Sequence, residues 1–214
     1  MVRLAAVTAC VASVFLGSGG CDRDAAARRE AKKQRAATPL AKKKAILVIA
    51  PSEFRDEELQ EPLKLLRSQG CEVAIAASSL DEAVGMLGAR VKPEVLLKDV
   101  APGGLDAVAF IGGVGASVYF DDPTAHALAR DALARGKVVG AICIAPSILA
   151  RAGLLKGKRA TAWESQKDDL EKGGATWAEE PAVRDGLIVT ANGPKAAGQF
   201  AELLAKAIAE ADKP

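Results

Sequence analysis

KVVGAICIAPSILA, residues 137–150, decides how this 214-residue chain folds. Its first half is a short, β-branched apolar run, which is typical of a buried parallel strand. Its second half places Pro146 at a helix start, and Gly153 follows where that helix would end. Cys143 therefore stands at a sharp turn from strand to helix, a thiol version of the nucleophile elbow. Helix N–H groups aimed at the sulfur stabilise an anion, so we expect this thiol to ionise more easily than an ordinary one.

The alternation of strand and helix continues on both sides of this segment. Apolar runs predict strands, which fall near residues 45–50, 72–77, 107–111, 159–162 and 187–190. Helical patterns and caps predict helices, at 56–69, 123–134 and 194–211, with a brief helix around Asp168 and a hairpin within 84–100. We therefore expect residues 45–214 to form one α/β domain, with a mostly parallel sheet covered by helices on both faces.

Three features of the predicted domain fall at the carboxyl ends of strands. They are the loop at 51–58, the Gly112-Gly113 turn and Cys143. Ligands of open α/β sheets bind beyond these strand ends. The sequence therefore predicts that the three meet in one crevice.

The first 21 residues have the pattern of a secretory signal. Arg3 precedes an apolar run of 13 residues at 4–16, which is shorter than the roughly 20 residues of a membrane-spanning helix. Small residues follow and end at Cys21. This arrangement resembles a bacterial lipoprotein signal in which Cys21 becomes lipidated, although Ser18 stands where such signals prefer an aliphatic residue. The alternative is plain secretion with cleavage near Gly20.

The next segment, residues 22–44, predicts a disordered basic linker. It holds nine Lys or Arg against three Asp or Glu and almost no large apolar residues. It is either a solvated tether or a basic strip on anionic lipid headgroups. Residues 1–44 carry a net charge of +7, so residues 45–214 carry −5 of the total of +2. We expect no nucleic-acid binding, and a membrane-anchored position in the cell envelope, with a soluble periplasmic or secreted protein as the alternative.

Few residues suit metal or disulfide chemistry. Of the four cysteines, only Cys71 and Cys143 lie in the domain, at opposite ends of predicted strands, so we expect no disulfide between them. Cys71 is expected to pack as a small apolar residue. With His126 as the single histidine, we expect no metal site, and no phosphate-binding motif of the Walker type is present. We predict no cofactor.

Four segments together resemble the ThiJ/PfpI superfamily, whose members adopt a flavodoxin-like three-layer sandwich. They are FRDEELQEP at 54–62, FIGGVG at 110–115, AICIAP at 141–146 and TANGP at 190–194. The resemblance extends over about residues 44–210. It implies an assembly of identical subunits.

The resemblance also implies a site. Cys143 would be the reactive thiol, Glu58 the carboxyl group in contact with it, and the backbone of Gly112, Gly113 and Ile144 the anion-binding group. A carboxylate beside a thiolate is repulsive, so one of the two must hold a proton. We expect a protonated Glu58 that donates to the Cys143 thiolate, and the two groups should titrate as a coupled pair.

The chain departs from the family pattern where many members have a histidine. Ile144 follows the cysteine directly, and Trp163 occupies the other position that can supply histidine. His126 lies on the helix at 123–134 and is expected to be a rim residue. Without a Cys–His pair we expect no peptidase activity. Tyr119 and Trp163 are candidates for the lining of a small pocket, and ordinary packing residues are the alternative for both.

Three functions remain open from the sequence. Glyoxalase-type or deglycase-type activity on small α-oxoaldehydes needs only Cys143, Glu58 and an anion hole. A redox-sensing or stress-protective protein would use reversible oxidation of Cys143 instead. A binding module would keep the fold without its chemistry.

Overall fold

The computed structural model describes residues 39–211 of the chain. The strands, in chain order, are β1 (Lys44–Val48), β2 (Ser52–Phe54), β3 (Glu72–Ala77), β4 (Ala83–Gly85), β5 (Arg90–Val91), β6 (Val95–Leu96), β7 (Ala107–Phe110), β8 (Val138–Ile142), β9 (Arg159–Ala160), β10 (Thr176–Trp177), β11 (Ala182–Asp185) and β12 (Ile188–Ala191). The helices are α1 (Asp56–Ser68), α2 (Pro123–Ala134), α3 (Pro146–Arg151), α4 (Lys167–Lys172) and α5 (Ala197–Glu210).

A seven-stranded sheet forms the centre of the domain, in the order β11-β12-β8-β7-β1-β3-β6. All neighbouring pairs are parallel except β11 and β12. The central strands β7 and β8 are buried along their whole length, as expected for strands covered on both faces. The predicted flavodoxin-like α/β sandwich with a mostly parallel sheet is confirmed.

Two apolar layers separate the sheet from its helices. On one face, Leu59 and Leu66 of α1 and Phe200 and Leu204 of α5 are fully buried against the sheet. On the other face, the buried side chains come from α2, α3, α4 and the turn after α3: Leu128, Ile148, Leu149, Leu155 and Leu170. The three layers explain why both faces of every central strand are apolar.

The start of α2 follows the capping rule that the sequence predicted. The Asp122 carboxylate accepts hydrogen bonds from the backbone N–H groups of Thr124 and Ala125, at 2.7 and 2.9 Å. Pro123 stands at the first helical position, where its missing N–H leaves no bond unmade.

The sheet margins differ from the sequence prediction. Part of the predicted hairpin within 84–100 is present: β4 and β5 form an antiparallel pair, and β4 also pairs with β2 in a small separate sheet, while β6 joins the main sheet beside β3. The strand expected near 187–190 has an antiparallel partner, β11, which the sequence analysis missed. The signal was present, because glycine is typical of the first position of a two-residue hairpin turn: Gly186, with a φ of 64°, and Leu187 connect the paired residues Asp185 and Ile188.

The strand predicted at 159–162 is only two residues long and pairs with β10 outside the main sheet. The N–H of Thr161 donates to the hydroxyl of Thr190 at 3.0 Å, and the N–H of Trp163 donates to the carbonyl of Cys143 at 2.8 Å. Because these N–H groups donate to Thr190 and Cys143 and not to a neighbouring strand, the hydrogen-bond ladder between β9 and β10 ends here.

The ordered domain begins earlier than residue 45. Leu40 is fully buried in the core, and its N–H donates to the carbonyl of Gln69 at 3.1 Å. Residues 40–44, assigned from sequence to the linker, therefore pack with the domain. The predicted signal at 1–21, the lipidation site Cys21 and the linker up to residue 38 lie outside the described residues. Within residues 39–211, no helix combines the length and apolar character needed to cross a bilayer.

Candidate active site

Cys143 lies at the turn between β8 and α3. Its backbone is in the left-handed region, with a φ of 63°, which costs a residue with a Cβ about 1–2 kcal/mol. Its N–H donates to the carbonyl of Ala191 at 2.9 Å, which ties the elbow to the end of β12. The side chain is 8% exposed. The strained backbone and the small opening are those of a nucleophile elbow, as the sequence predicted.

Glu58 reaches the elbow from the first turn of α1. Its side chain is fully buried, whereas Glu57 and Glu61 on the same helix face outward. The N–H of Gly112 donates to its Oε2 at 3.1 Å. Oε1 is buried without a hydrogen-bond partner among residues 39–211. An orphaned buried oxygen is costly for a charged carboxylate, so this position favours a protonated Glu58.

Two consecutive glycines, in the turn after β7, allow that backbone to approach the thiol closely. A Cβ on Gly112 would lie 2.4 Å from the Cβ of Cys143 and 2.5 Å from Oε2 of Glu58. Gly113 has a φ of 95°, and a Cβ there would lie 2.3 Å from the carbonyl oxygen of Glu53. Only glycine fits at both positions.

The N–H groups around the elbow serve different partners. Those of Gly113 and Ile144 interact with the Cys143 sulfur, as expected for an anion-binding pair. Gly112, which the sequence analysis placed in the same group, donates to Glu58 instead. Two N–H groups therefore face the sulfur, and the third binds the carboxyl group of Glu58.

The two side chains form an electrostatically coupled pair. Burial raises the pKa of the Glu58 carboxyl from 4.5 to about 8, against smaller lowering effects of Cys143, the Gly112 N–H and Arg55. Burial, followed by the negative charge of Glu58, raises the pKa of the Cys143 thiol from 9.0 to about 12, while the N–H groups of Gly113 and Ile144 lower it. At neutral pH, Glu58 is therefore mostly protonated.

The expectation that the elbow alone makes the thiol acidic is wrong. That expectation considered the helix N–H groups and left out burial, which dominates here. The thiol keeps its proton for as long as Glu58 carries the charge. When the pair has lost one of its two protons, the remaining proton can move from sulfur to Glu58. This move takes the charge off the carboxylate and leaves it on the sulfur, beside the N–H groups of Gly113 and Ile144.

The two aromatic pocket candidates have different places. Tyr119 is 2% exposed in the core: its hydroxyl donates to the carbonyl of Ile49 at 2.9 Å and accepts from the N–H of Ser78 at 3.0 Å. It does not line the crevice, because its polar group is already satisfied inside the fold. Trp163 is 48% exposed and lines a cavity beside the elbow.

His126 is not placed to assist Cys143. It lies on α2, half-buried, with its Nε2 2.7 Å from the carbonyl oxygen of Phe120. Cys71 is fully buried and, like Cys143, is a free cysteine. Burial raises the pKa of the Cys71 thiol to about 11, so it packs as an inert apolar residue, as expected. Among residues 39–211, no group of three His, Cys, Asp or Glu side chains is arranged to hold a metal ion.

The cavity beside the elbow has a volume of about 580 Å³. Besides Trp163 it is lined by residues that the sequence analysis did not single out, chiefly Lys167, Trp177, Asn192 and Pro194. Trp177 lies on β10, a strand absent from the predicted fold. No local motif marks it, so its proximity to the elbow follows only from the tertiary structure.

The chain belongs to the DJ-1/PfpI family, because residues 43–207 match the family's sequence profile. Deglycase PfpI of Pyrococcus furiosus is 34% identical over 149 residues, 70% of this chain and 90% of the relative. The glutathione-independent glyoxalase DJR-1.2 of Caenorhabditis elegans is 30% identical over 161 residues, 75% and 86% of the two chains. The crystal structure of a ThiJ/PfpI domain protein from Brachyspira murdochii matches with a TM-score of 0.76 at 29% identity, covering 78% of this chain and 96% of that one.

Proposed function

We propose that this protein is a thiol-dependent enzyme of the glyoxalase or deglycase type, which converts small α-oxoaldehydes without a catalytic histidine. One observation carries the proposal: the strained elbow thiol of Cys143 faces a fully buried Glu58 whose pKa of about 8 keeps it protonated at neutral pH. The names of the two curated relatives support the same reaction class.

The first step is addition of sulfur to the aldehyde. The reactive form of the pair has lost one proton, with the remaining proton on Glu58 and the charge on the Cys143 sulfur. The thiolate forms a C–S bond to the aldehyde carbon, and the C=O electron pair moves to oxygen. The Gly113 and Ile144 N–H groups hold the resulting alkoxide. Glu58 then gives its proton to this oxygen and becomes a carboxylate.

The second step moves hydrogen between the adjacent carbons. The Glu58 carboxylate removes the hydrogen of the former aldehyde carbon as a proton and returns it to the neighbouring carbonyl carbon, through an enediol. The hydroxyl proton on the first carbon's oxygen passes to the oxygen of the second carbon. The first carbon is thereby oxidised to a thioester of Cys143, and the second is reduced to an alcohol. Water hydrolyses the thioester, which releases a 2-hydroxy acid and the thiol. The unpartnered Oε1 of Glu58 is the oxygen free to carry this proton.

Methylglyoxal turnover by the purified full-length chain tests the proposal, with lactate as the measured product. Cys143→Ala and Glu58→Gln should each lower kcat/KM by at least about 100-fold, since proton transfer alone is worth about 10²–10⁴ in rate. Cys71→Ala and Glu61→Gln are matched controls, because they change the same residue types away from the elbow.

Full turnover in either site variant would contradict the mechanism. So would a loss of the same size in the Cys71→Ala control. A pH profile adds a second criterion: kcat/KM should rise toward about pH 8, where the pair releases its first proton.

A redox function is the second candidate, favoured by the donors around the sulfur. The Gly113 and Ile144 N–H groups and a protonated Glu58 would also stabilise a sulfinate on Cys143. Peroxide followed by mass spectrometry should then add two oxygen atoms at Cys143, faster than in Glu58→Gln. Rapid oxidation with no methylglyoxal turnover would favour the sensor. If the protein showed neither rapid oxidation nor turnover, a binding module would be favoured.

We further propose that the protein is exported, anchored to the cell envelope by lipid on Cys21, with residues 22–38 as a basic tether, and that it assembles with identical subunits. The sequence pattern at residues 1–21 and the family resemblance support this. Metabolic labelling with a palmitate analogue, compared between the natural chain and Cys21→Ala, tests the anchor. Light scattering of the purified protein tests the assembly.

A further inference from the structure

The cavity beside the elbow contains both tryptophans of the chain. Trp163 and Trp177 line it together, and the chain has two tryptophans in all. Trp177 is fixed on two sides, because its Nε1–H donates to Glu179 at 3.0 Å and the Lys167 Nζ lies 5.6 Å from the ring centroid. We call this space, defined by Trp163, Trp177, Lys167 and Gly193, the tryptophan groove.

The tryptophan groove adjoins the reacting groups through Gly193. A Cβ built on Gly193 would lie 2.8 Å from Cε3 of Trp163 and 4.0 Å from Oε1 of Glu58. The indole and the orphaned carboxyl oxygen thus flank the same small space. The backbone N–H of Trp163 also donates to the Cys143 carbonyl at 2.8 Å, so the backbone that carries this indole is tied to the elbow.

The size and lining of the groove indicate what it holds. A volume of about 580 Å³ lies within the usual range for sites of small organic ligands, and it far exceeds what the methyl group of methylglyoxal would fill. The exposed indole of Trp163 presents a π-face to a planar apolar group. The charges of Lys167 and Lys195 are balanced by those of Glu164 and Glu179, which favours an uncharged substituent.

We propose that the tryptophan groove binds the ring of an aryl-substituted α-oxoaldehyde, whose aldehyde carbon then lies at Cys143. The inference rests on the proposed function, and it adds that the enzyme prefers aryl to methyl α-oxoaldehydes. Trp163 and Trp177 are the residues that determine this specificity.

Kinetics with phenylglyoxal and methylglyoxal test the preference. The measured quantity is the ratio of their kcat/KM values, which cancels general losses of activity. Trp163→Ala and Trp177→Ala should each lower this ratio by about tenfold, chiefly through the KM for phenylglyoxal. Leu80→Ala is the matched control, because Leu80 is similarly exposed, at 43% against 48% for Trp163, and lies outside the groove. It should leave the ratio unchanged.

A binding measurement separates the groove from the chemistry. In full-length Cys143→Ala, mandelate, the aryl product, should change the tryptophan fluorescence saturably. Lactate should need an at least about tenfold higher concentration to reach half of its maximal fluorescence change. Both fluorophores lie in the groove, so the signal reports this site alone. Trp177→Ala in the same background should weaken mandelate binding.

The outcomes are distinguishable. Methylglyoxal turnover with an unchanged ratio in both tryptophan variants would overturn the groove proposal and leave the proposed function intact. Saturable mandelate binding that Trp177→Ala weakens, without turnover of either substrate, would support the groove and overturn the proposed function. Equal binding of lactate and mandelate would overturn the preference for an aryl group.

Discussion

Replacing Glu58 by Gln should change how the stability of this protein depends on pH. In the folded state, burial holds the pKa of Glu58 at about 8, against an ordinary value of 4.5. The folded form therefore binds this proton more tightly than the unfolded form does. A carboxyl group with a raised pKa stabilises the fold fully below about pH 4.5, and this contribution is lost as pH rises through about 8. Glutamine has a similar shape and does not titrate.

The magnitude follows from the two pKa values. Between about pH 4.5 and 8, each pH unit costs the natural protein about 1.4 kcal/mol relative to Glu58→Gln, and the whole interval costs about 5 kcal/mol. Glu58 is fully buried, so solvent screening does not reduce this figure. A change of that size is a large fraction of the total stability of an ordinary domain.

Urea unfolding at pH 5.5, 6.5 and 7.5 measures the effect. The difference in free energy of unfolding between the natural chain and Glu58→Gln should change by about 2–3 kcal/mol over these two pH units, in favour of the variant at higher pH. Glu61→Gln, on the exposed face of the same helix, should give a curve parallel to that of the natural chain. A parallel curve for Glu58→Gln would refute the claim that the fold holds a protonated Glu58 at neutral pH.

Three further substitutions test other parts of the argument. In urea, Cys143→Gly should have a free energy of unfolding about 1 kcal/mol higher than Cys143→Ala, because glycine adopts the φ of 63° without strain. A less stable glycine variant, the usual result elsewhere, would contradict the claim of backbone strain. Tyr119→Phe should lose about 1–3 kcal/mol of stability, since two backbone groups lose their partner, yet keep its kcat on methylglyoxal; a selective fall in kcat would place Tyr119 in the site. Gly112→Ala should abolish turnover, because its methyl group would overlap Cys143 and Glu58; retained turnover would show that the walls can separate.

The sequence predicted the central sheet well because its strands are buried on both faces. The bounds of β3 were predicted residue for residue, and α1 and α2 to within one residue, since caps and apolar runs are local signals. The errors concern short pieces at the sheet margins, such as β9 and β10. Those pieces are two residues long, and their pairing depends on contacts that are distant in the chain.

The sequence predicted which residues form the site, but it did not predict their pKa values. The family resemblance implied that Glu58 contacts Cys143, and the fold brings the two together. Whether a thiol is acidic depends on the balance between N–H donors and burial, and burial is a tertiary property. For the same reason the sequence left Tyr119 open between the pocket and the core, because its hydrogen bonds to residues 49 and 78 depend on the tertiary structure.

The absence of a histidine beside Cys143 gives Glu58 two tasks. It must stay protonated while the sulfur carries charge, and then act as a base once the substrate is bound. A group performs both tasks best when its pKa is near the working pH, and an exposed glutamate, with its ordinary pKa of 4.5, performs only the second. Complete burial brings Glu58 to about 8. The same burial leaves Oε1 without a hydrogen-bond partner in the part of the chain that the structure describes. The feature that weakens the fold at high pH is therefore the one that lets a single carboxyl group act as both acid and base.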